Sequence, residues 1–298
     1  MPIHLSPISR RSFVAASLAS LAAPRILVAQ DATDDRWILI ADSHIAADPK
    51  AKRGETCMAD NFKNVASDFL KTAAKSAGVL LNGDAAFLKG LRDDYSTLAS
   101  LLTPISAAGL PIHITLGNHD DRDVFLKAFA DRLPKSKPLA SHHVAVVEGK
   151  RANFFLLDSL EIVNGTPGLL GSEQLRWLAD ALDAKKDKPA LVFLHHNPAL
   201  IQLKVNNGLK DTEAFLEVIK PRSHVKAVVY GHTHHWAHED VEGLHFVNLP
   251  PTAYVFQQGD PNGWVELTLA DSGARFKLHA LDPEHKANGQ TFDLKWRT

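Results

Sequence analysis

One cysteine, Cys57, stands among 298 residues, so no intrachain disulfide can form. Beyond the amino terminus no apolar run reaches membrane-spanning length, which leaves no candidate transmembrane helix. Internal repeats and low-complexity segments are missing after that terminus, and no linker-like stretch argues for two separate domains. Neither sign of charge dominates, with 33 basic against 34 acidic residues, so there is no basic field to grip duplex nucleic acid. What remains is ordinary soluble composition, 45% hydrophobic and 22% charged. A chain of this length can bury one good-sized core.

The amino terminus reads as a targeting segment. Ser9-Arg10-Arg11-Ser12-Phe13-Val14 precedes a modestly apolar stretch, Ala15 to Ala23, and a small-residue region ends near Ala29. Paired arginines, a phenylalanine two places on and a weak hydrophobic core resemble a bacterial twin-arginine signal. That resemblance implies export through the twin-arginine machinery to the periplasm or beyond, without a stable membrane anchor. It divides the chain into a signal, residues 1–29, and one domain, residues 30–298. Leu27, at the minus-three position of a cleavage near Ala29, is not the ideal small residue. Taking away the segment's three arginines leaves 30 basic against 34 acidic residues, a net of about −4. A route that carries folded proteins suits a chain without disulfides and would let the cytoplasm choose a metal.

Hydrophobic periodicity predicts strands at Trp37–Ala41, Val79–Leu81 and Ile112–Leu116. Helices are expected between and after them, at Asp60–Ala77, Asp93–Leu102 and Asp121–Leu133. This β-α-β-α-β order predicts parallel pairing with right-handed crossovers. His142–Val147 and Asn153–Leu157 flank a hairpin turn at Gly149. A helix follows with Ser172 as its expected cap, then a buried strand at Ala190–Leu194 and a helix at Asp211–Ile219. The remainder reads as strands at His245–Leu249, Gly263–Leu269 and Ala274–Leu281. Alternating helix and strand followed by antiparallel strands suggests two sheets in one domain.

The chemistry-bearing residues lie where apolar runs stop. Ile38 to Ala41 runs into Asp42-Ser43-His44, and Val79 to Asn82 into Gly83-Asp84. Ile112 to Leu116 runs into Gly117-Asn118-His119-Asp120, and Leu191 to Leu194 into His195-His196. Val228 to Tyr230 ends in Gly231-His232-Thr233-His234, where the two-residue period of extended chain sends both imidazoles in similar directions. Sheet-based α/β proteins keep their ligands in the crevice beyond the carboxyl ends of strands.

Together these five blocks, in this order, resemble those of the calcineurin-like metallophosphoesterases, over about Trp37 to Leu249. The resemblance implies a four-layer αββα sandwich of two mixed sheets. It also implies two transition-metal ions, divalent or of mixed valence. Asp42, His44 and His234 would hold the first; Asn118, His195 and His232 would hold the second; Asp84 would bridge. Imidazole and carboxylate donors without thiolate suit manganese, iron, zinc or cobalt and do not choose among them. A hydroxide between the ions would attack phosphorus in line. His119 matches the family histidine that contacts phosphate or protonates the leaving oxygen, with Asp120 or Asp121 expected to orient its ring. His195 is assigned over His196, which would support it or face substrate. His235 is expected to pack or hydrogen-bond locally and His113, inside a strand, to be a satisfied core residue; His142, His143, His224, His238, His245, His279 and His285 show no ligand spacing.

Phe87 stands where purple acid phosphatases place tyrosine, so no phenolate ligand is available there. Gly168-Leu169-Leu170-Gly171 with Gln174-Leu175-Arg176-Trp177-Leu178 resembles a segment of bacterial class III cyclic-nucleotide phosphodiesterases and glycerophosphodiesterases. The expected substrate is a small phosphate ester, with diesters ahead of monoesters. The alternatives are a nucleotide or lipid-headgroup phosphomonoesterase and a non-catalytic scaffold of the same fold. Substrate recognition is expected in Pro198–Lys210, with Lys204 or Lys210 near a phosphate, and Asn61 loosely matches a polar residue near substrate in some relatives.

Overall fold

The computed structural model of the chain describes residues 35–72, 76–132, 138–198 and 207–298. The segment read as a signal, residues 1–29, lies outside them. β1 (Asp35–Ala41) is covered on both faces: Trp37, Leu39 and Ala41 enter one core, Ile38 and Ile40 another. That is the two-residue period of a strand buried on both sides. A short hairpin, β2 (Lys52–Arg53) with β3 (Thr56–Cys57), leads into α1 (Met58–Leu70). Helical spacing of Phe62, Val65, Ala66 and Phe69 gives α1 its buried stripe. α1 ends well short of the expected Ala77, which belongs to β4 (Ser76–Asn82). There Ala77 is the extra residue where pairing jumps from Arg36–Ser76 to Trp37–Gly78.

α2 (Arg92–Leu101) and α3 (Thr103–Ala107) precede β5 (Ile112–Thr115) and α4 (Arg122–Ala128). The Asp121 carboxylate caps α4 by accepting from the Val124 amide at 2.9 Å. A 3₁₀ turn, Ala130–Arg132, continues part of the expected helix, and Leu133 lies outside the described residues. β6 (Ala145–Glu148) and β7 (Asn153–Leu156) form the expected hairpin. α5 (Gly171–Ala184) begins before Ser172, so Ser172 does not cap it. The Asp211 carboxylate accepts from the Leu170 and Gly171 amides instead, a tertiary contact that serves that end of the helix.

β8 (Ala190–Phe193), α6 (Thr212–Ile219) and β9 (Val225–Tyr230) complete the second alternating run. β10 (Ala237–Val241) and β11 (Leu244–Asn248) follow, then β12 (Gly263–Ala270), β13 (Gly273–Ala280) and β14 (Thr291–Lys295). One sheet has the order β14-β13-β12-β1-β4-β5 and the other β10-β11-β9-β8-β7-β6. β1, β4 and β5 pair in parallel, as expected. β11, expected to be antiparallel, instead runs parallel to β9. β10 takes the sheet edge, and β11 folds back from it into the gap beside β9.

Three apolar layers separate four layers of structure. Ile40, Phe69 and Phe125 lie between the first sheet and its helices. Trp37, Phe154, Phe193 and Phe276 fill the space between sheets, and Leu178, Val192 and Phe215 pack α5 and α6 on the second sheet. This is the αββα sandwich. Among the described residues no helix is long and apolar enough to cross a membrane.

Candidate metal centre

Five strand ends meet where the two sheets abut. The loop after β1 runs beside the loop after β4, with the Asp42 and His44 amides on the Gly83 and Asp84 carbonyls at 3.2 and 2.9 Å. From the second sheet, the Gly231 amide after β9 donates to the His195 carbonyl after β8 at 3.1 Å. Asn82 joins the sheets: its side-chain amide donates to the Leu194 carbonyl at 2.9 Å and accepts from the Thr115 hydroxyl at 2.9 Å. Sequence reading treated Asn82 only as a strand end, because its partners come from distant segments.

The backbone is forced where the ligand candidates stand. Asp42, His44, Asp84, His232 and His234 are five of the seven non-glycine residues with positive φ among the described residues. That conformation costs side-chain-bearing residues roughly 1–3 kcal/mol each and clusters at functional sites. The motif glycines have a separate reason. A Cβ on Gly117 would run into the Asp84 carboxylate, and one on Gly231 into that of Asp42.

Each candidate imidazole is fixed by a backbone carbonyl. His44 Nδ1 contacts the Phe87 carbonyl at 3.3 Å, His234 Nδ1 that of Tyr254 at 2.5 Å, and His195 Nδ1 that of Asn82 at 3.2 Å. His232 uses Nε2, which contacts the Asn207 carbonyl at 2.9 Å. A carbonyl can only accept, so these nitrogens carry the proton, and the opposite nitrogen of each neutral ring presents a lone pair. His44 Nε2 and His234 Nε2 then converge at 3.0 Å, a contact that either a second proton on one ring or a cation shared by both lone pairs would satisfy. Asn118 Oδ1 and His195 Nε2 are buried without hydrogen-bond partners. Asp84 Oδ2 stands 3.2 Å from His195 Nε2, 3.7 Å from His44 Nε2 and 3.9 Å from His119 Nε2.

The electrostatics agree with that fit. Burial holds His44 down to about 3, and holds His232 down to about 4 with help from the charge of His195. For His195 burial acts downward, but Asp84 and Asp42 outweigh it and raise the group to about 9. For Asp84 burial acts upward, and His195 and His44 more than offset it, so the carboxylate stays ionised. Positive charge is drawn to the space between Asp42, Asp84 and the imidazoles. Three donor groups have ligand atoms within 4.8 Å of one another: Asp42, His44, His234; His44, Asp84, His119; and Asp84, His195, His232.

Residues 36–236 match the profile of the family described as calcineurin-like phosphoesterase. The chain belongs to that family. It is therefore a metal-dependent hydrolase of phosphoric esters, and the donor clusters are groups that could hold a metal ion. Its relatives include a probable cyclic nucleotide phosphodiesterase of Synechococcus sp., 31% identical over 82% of this chain and 92% of that protein. The 3′,5′-cyclic adenosine monophosphate phosphodiesterase CpdA of Pseudomonas aeruginosa is 26% identical over 83% of this chain and 88% of its own length. Among solved structures, a dimetal phosphatase from Danio rerio superposes with a TM-score of 0.68 at 15% identity, covering 88% of this chain and 99% of that one. That likeness concerns the fold.

Around the phosphoesterase centre, several residues do other work than expected. Neither Asp120 nor Asp121 orients His119, whose Nδ1 contacts the Leu88 carbonyl at 3.0 Å. Asp120 is fully buried and ties the motif loops together, accepting from the Ala85, Ala86 and Gly117 amides and the Tyr95 hydroxyl. Burial, then the Asp84 charge, pushes its carboxyl up to about 6 against those amides. His196 is buried beside His232, ring centroids 4.7 Å apart, with Nδ1 at 2.8 Å from the Ser159 hydroxyl. Lys210 pairs with Glu161 at 3.2 Å, and residues 199–206, Lys204 included, lie outside the described residues. Asn61 donates to the Ala253 carbonyl at 2.6 Å, holding a loop. Phe87 packs against the cluster of Ala46, Met58 and Tyr254. Gln174, in the helix that resembles the phosphodiesterase segment, bonds both backbone groups of Asp158 and so pins α5 to the end of β7.

Proposed function

We propose that this phosphoesterase acts on small phosphodiesters, with Asp42, His44 and His234 holding one ion, Asn118, His195 and His232 the other, and Asp84 shared. The observation that carries the metal assignment is the convergence of His44 Nε2 and His234 Nε2 at 3.0 Å in a group with Asp42. The diester reading is supported by the names of the cyclic-nucleotide phosphodiesterase relatives. Bound ions supply Lewis acidity and an activated water, and the nitrogen and oxygen donor set suits manganese, iron, zinc or cobalt.

The chain's own part is orientation and proton transfer. Carbonyls hold four imidazoles in the required tautomer, and the His119 amide donates to Asp84 Oδ1 at 2.8 Å, fixing that carboxylate. His119 keeps its Nδ1 proton on the Leu88 carbonyl, so the proton it would pass to a leaving oxygen sits on Nε2 of the imidazolium. Its side chain is 18% exposed, open to an arriving ester, whereas that of Asp84 is 2% exposed.

A hydrolysis panel on metal-loaded protein tests this reading. Bis(p-nitrophenyl) phosphate, 3′,5′-cyclic AMP and glycerophosphoethanolamine should include the best substrates, ahead of p-nitrophenyl phosphate. A clear preference for the monoester would replace the diester reading with a phosphomonoesterase, and no turnover of any ester would leave a scaffold. We also propose that residues 1–29 send the folded enzyme through the twin-arginine route. Periplasmic protein whose first residue falls near Gln30 is the expected result of fractionation and terminal sequencing; full-length protein confined to the cytoplasm would contradict it.

A further inference from the structure

The large hydrophobic side chains left exposed among the described residues are Leu88, Leu91, Ile162 and Phe256. Three of them belong to loops bonded to the metal centre. Leu88 offers its carbonyl to His119, and the turn that begins at Ile162 places the Asn164 amide 2.5 Å from the Asn118 carbonyl. Phe256 lies directly on a ligand candidate: its ring stacks on that of His234 with centroids 3.9 Å apart and planes 14° from parallel. One face of the phenyl ring is thus occupied, while the residue as a whole is 57% exposed. Scattered apolar residues on a surface need no explanation, but apolar side chains gathered at a catalytic mouth do.

The Phe256 loop is held rigid. Asn61 and Asn262 both donate to the Ala253 carbonyl, His234 contacts that of Tyr254, and His235 pairs with Asp260 at 3.0 Å. Beside the phenyl ring, Arg53 donates to the Tyr254 hydroxyl at 2.6 Å. Its guanidinium lies 4.3 Å from the Tyr254 ring centroid and 5.8 Å from that of Phe256. A flat apolar face flanked by a guanidinium fits one kind of ester group: a planar ring bearing hydrogen-bond acceptors. Glycerol or ethanolamine offers neither a flat face nor the apolar area.

We propose that the outer face of Phe256 is a stacking subsite for a nucleobase, with Arg53 at its edge, so that the substrate is a base-bearing phosphodiester. This rests on the phosphodiesterase reading and narrows it. A fixed ring ordered before binding makes stacking cheap in entropy.

The test uses the full chain, equally metal-loaded, as wild type, Phe256→Ala and Phe256→Trp, with melting curves to verify folding. The kcat/KM ratio of 3′,5′-cyclic AMP to glycerophosphoethanolamine should fall ~10-fold in Phe256→Ala, chiefly through KM, and return in Phe256→Trp. Adenosine, which carries no phosphate, should bind the wild type and Phe256→Trp in equilibrium dialysis and bind Phe256→Ala ~10-fold more weakly. An unchanged ratio, or adenosine binding indifferent to Phe256 or missing from the wild type, overturns the subsite. Turnover of bis(p-nitrophenyl) phosphate reports separately on the esterase. If it is lacking while adenosine binding depends on Phe256, the hydrolytic reading fails and the subsite stands. If it is present while adenosine ignores Phe256, the subsite fails and the esterase stands.

Discussion

Asp84→Ala protein should fold, yet lose metal and activity together. The carboxylate of Asp84 is buried, and one oxygen, Oδ2, is surrounded by Nε2 of His195, His44 and His119 at 3.2 to 3.9 Å. It belongs to two of the three metal-sized groups, as His44 also does, and as the proposed shared carboxylate its removal should damage both positions at once. Two neighbouring cations would also lose the negative charge that screens one from the other. Turnover should drop by at least the ~10²–10³-fold that loss of one preorganised electrostatic group costs. Asp84→Asn, which keeps the shape and removes the charge, should fall on the same side. Metal content by mass spectrometry and turnover of bis(p-nitrophenyl) phosphate give the two readouts. Two retained ions with near-normal turnover would show that Asp84 is not the shared ligand.

His119→Ala separates holding a metal from moving a proton. His119 forms a metal-sized group with His44 and Asp84, yet it is more open to solvent than Asp84 and its Nε2 stands 3.9 Å from the Asp84 oxygen. As a proton donor it can be removed without emptying the site: the variant should keep most of its metal and lose ~10²–10⁴-fold in turnover. The loss should shrink when the leaving group is a nitrophenolate, which needs little protonation, and be greatest for an alkoxide. Equal losses for both leaving groups would assign His119 to phosphate positioning. Loss of metal would make it a ligand.

Much of this centre was legible in the sequence because the fold places it where strands stop. Short apolar runs before Asp42, Asp84, Asn118, His195 and His232 mark buried strands, and a polar side chain just past such a run has only the crevice to enter. The edges of the sheets were harder to read. β10, Ala-His-Glu-Asp-Val, is half-exposed or exposed throughout, and β14 buries only Leu294, so neither carries a two-sided apolar signal. The helix cap at Asp211, the sheet-joining Asn82 and the loop carrying Tyr254 and Phe256 depend on pairings between distant segments. Periodicity within a short window cannot report those contacts. His235 is expected from the sequence to pack or hydrogen-bond locally, and its partner, Asp260, becomes visible only once the loop is in place.

The proposed two-ion centre is built from the ends of both sheets. The most direct measurement is metal stoichiometry: full chain equilibrated with manganese or zinc, freed of excess ion, and analysed for metal against protein by mass spectrometry and amino-acid analysis. Two ions per chain is the predicted result, falling toward one or none in Asp84→Ala. One ion or none per wild-type chain at saturating metal would contradict it.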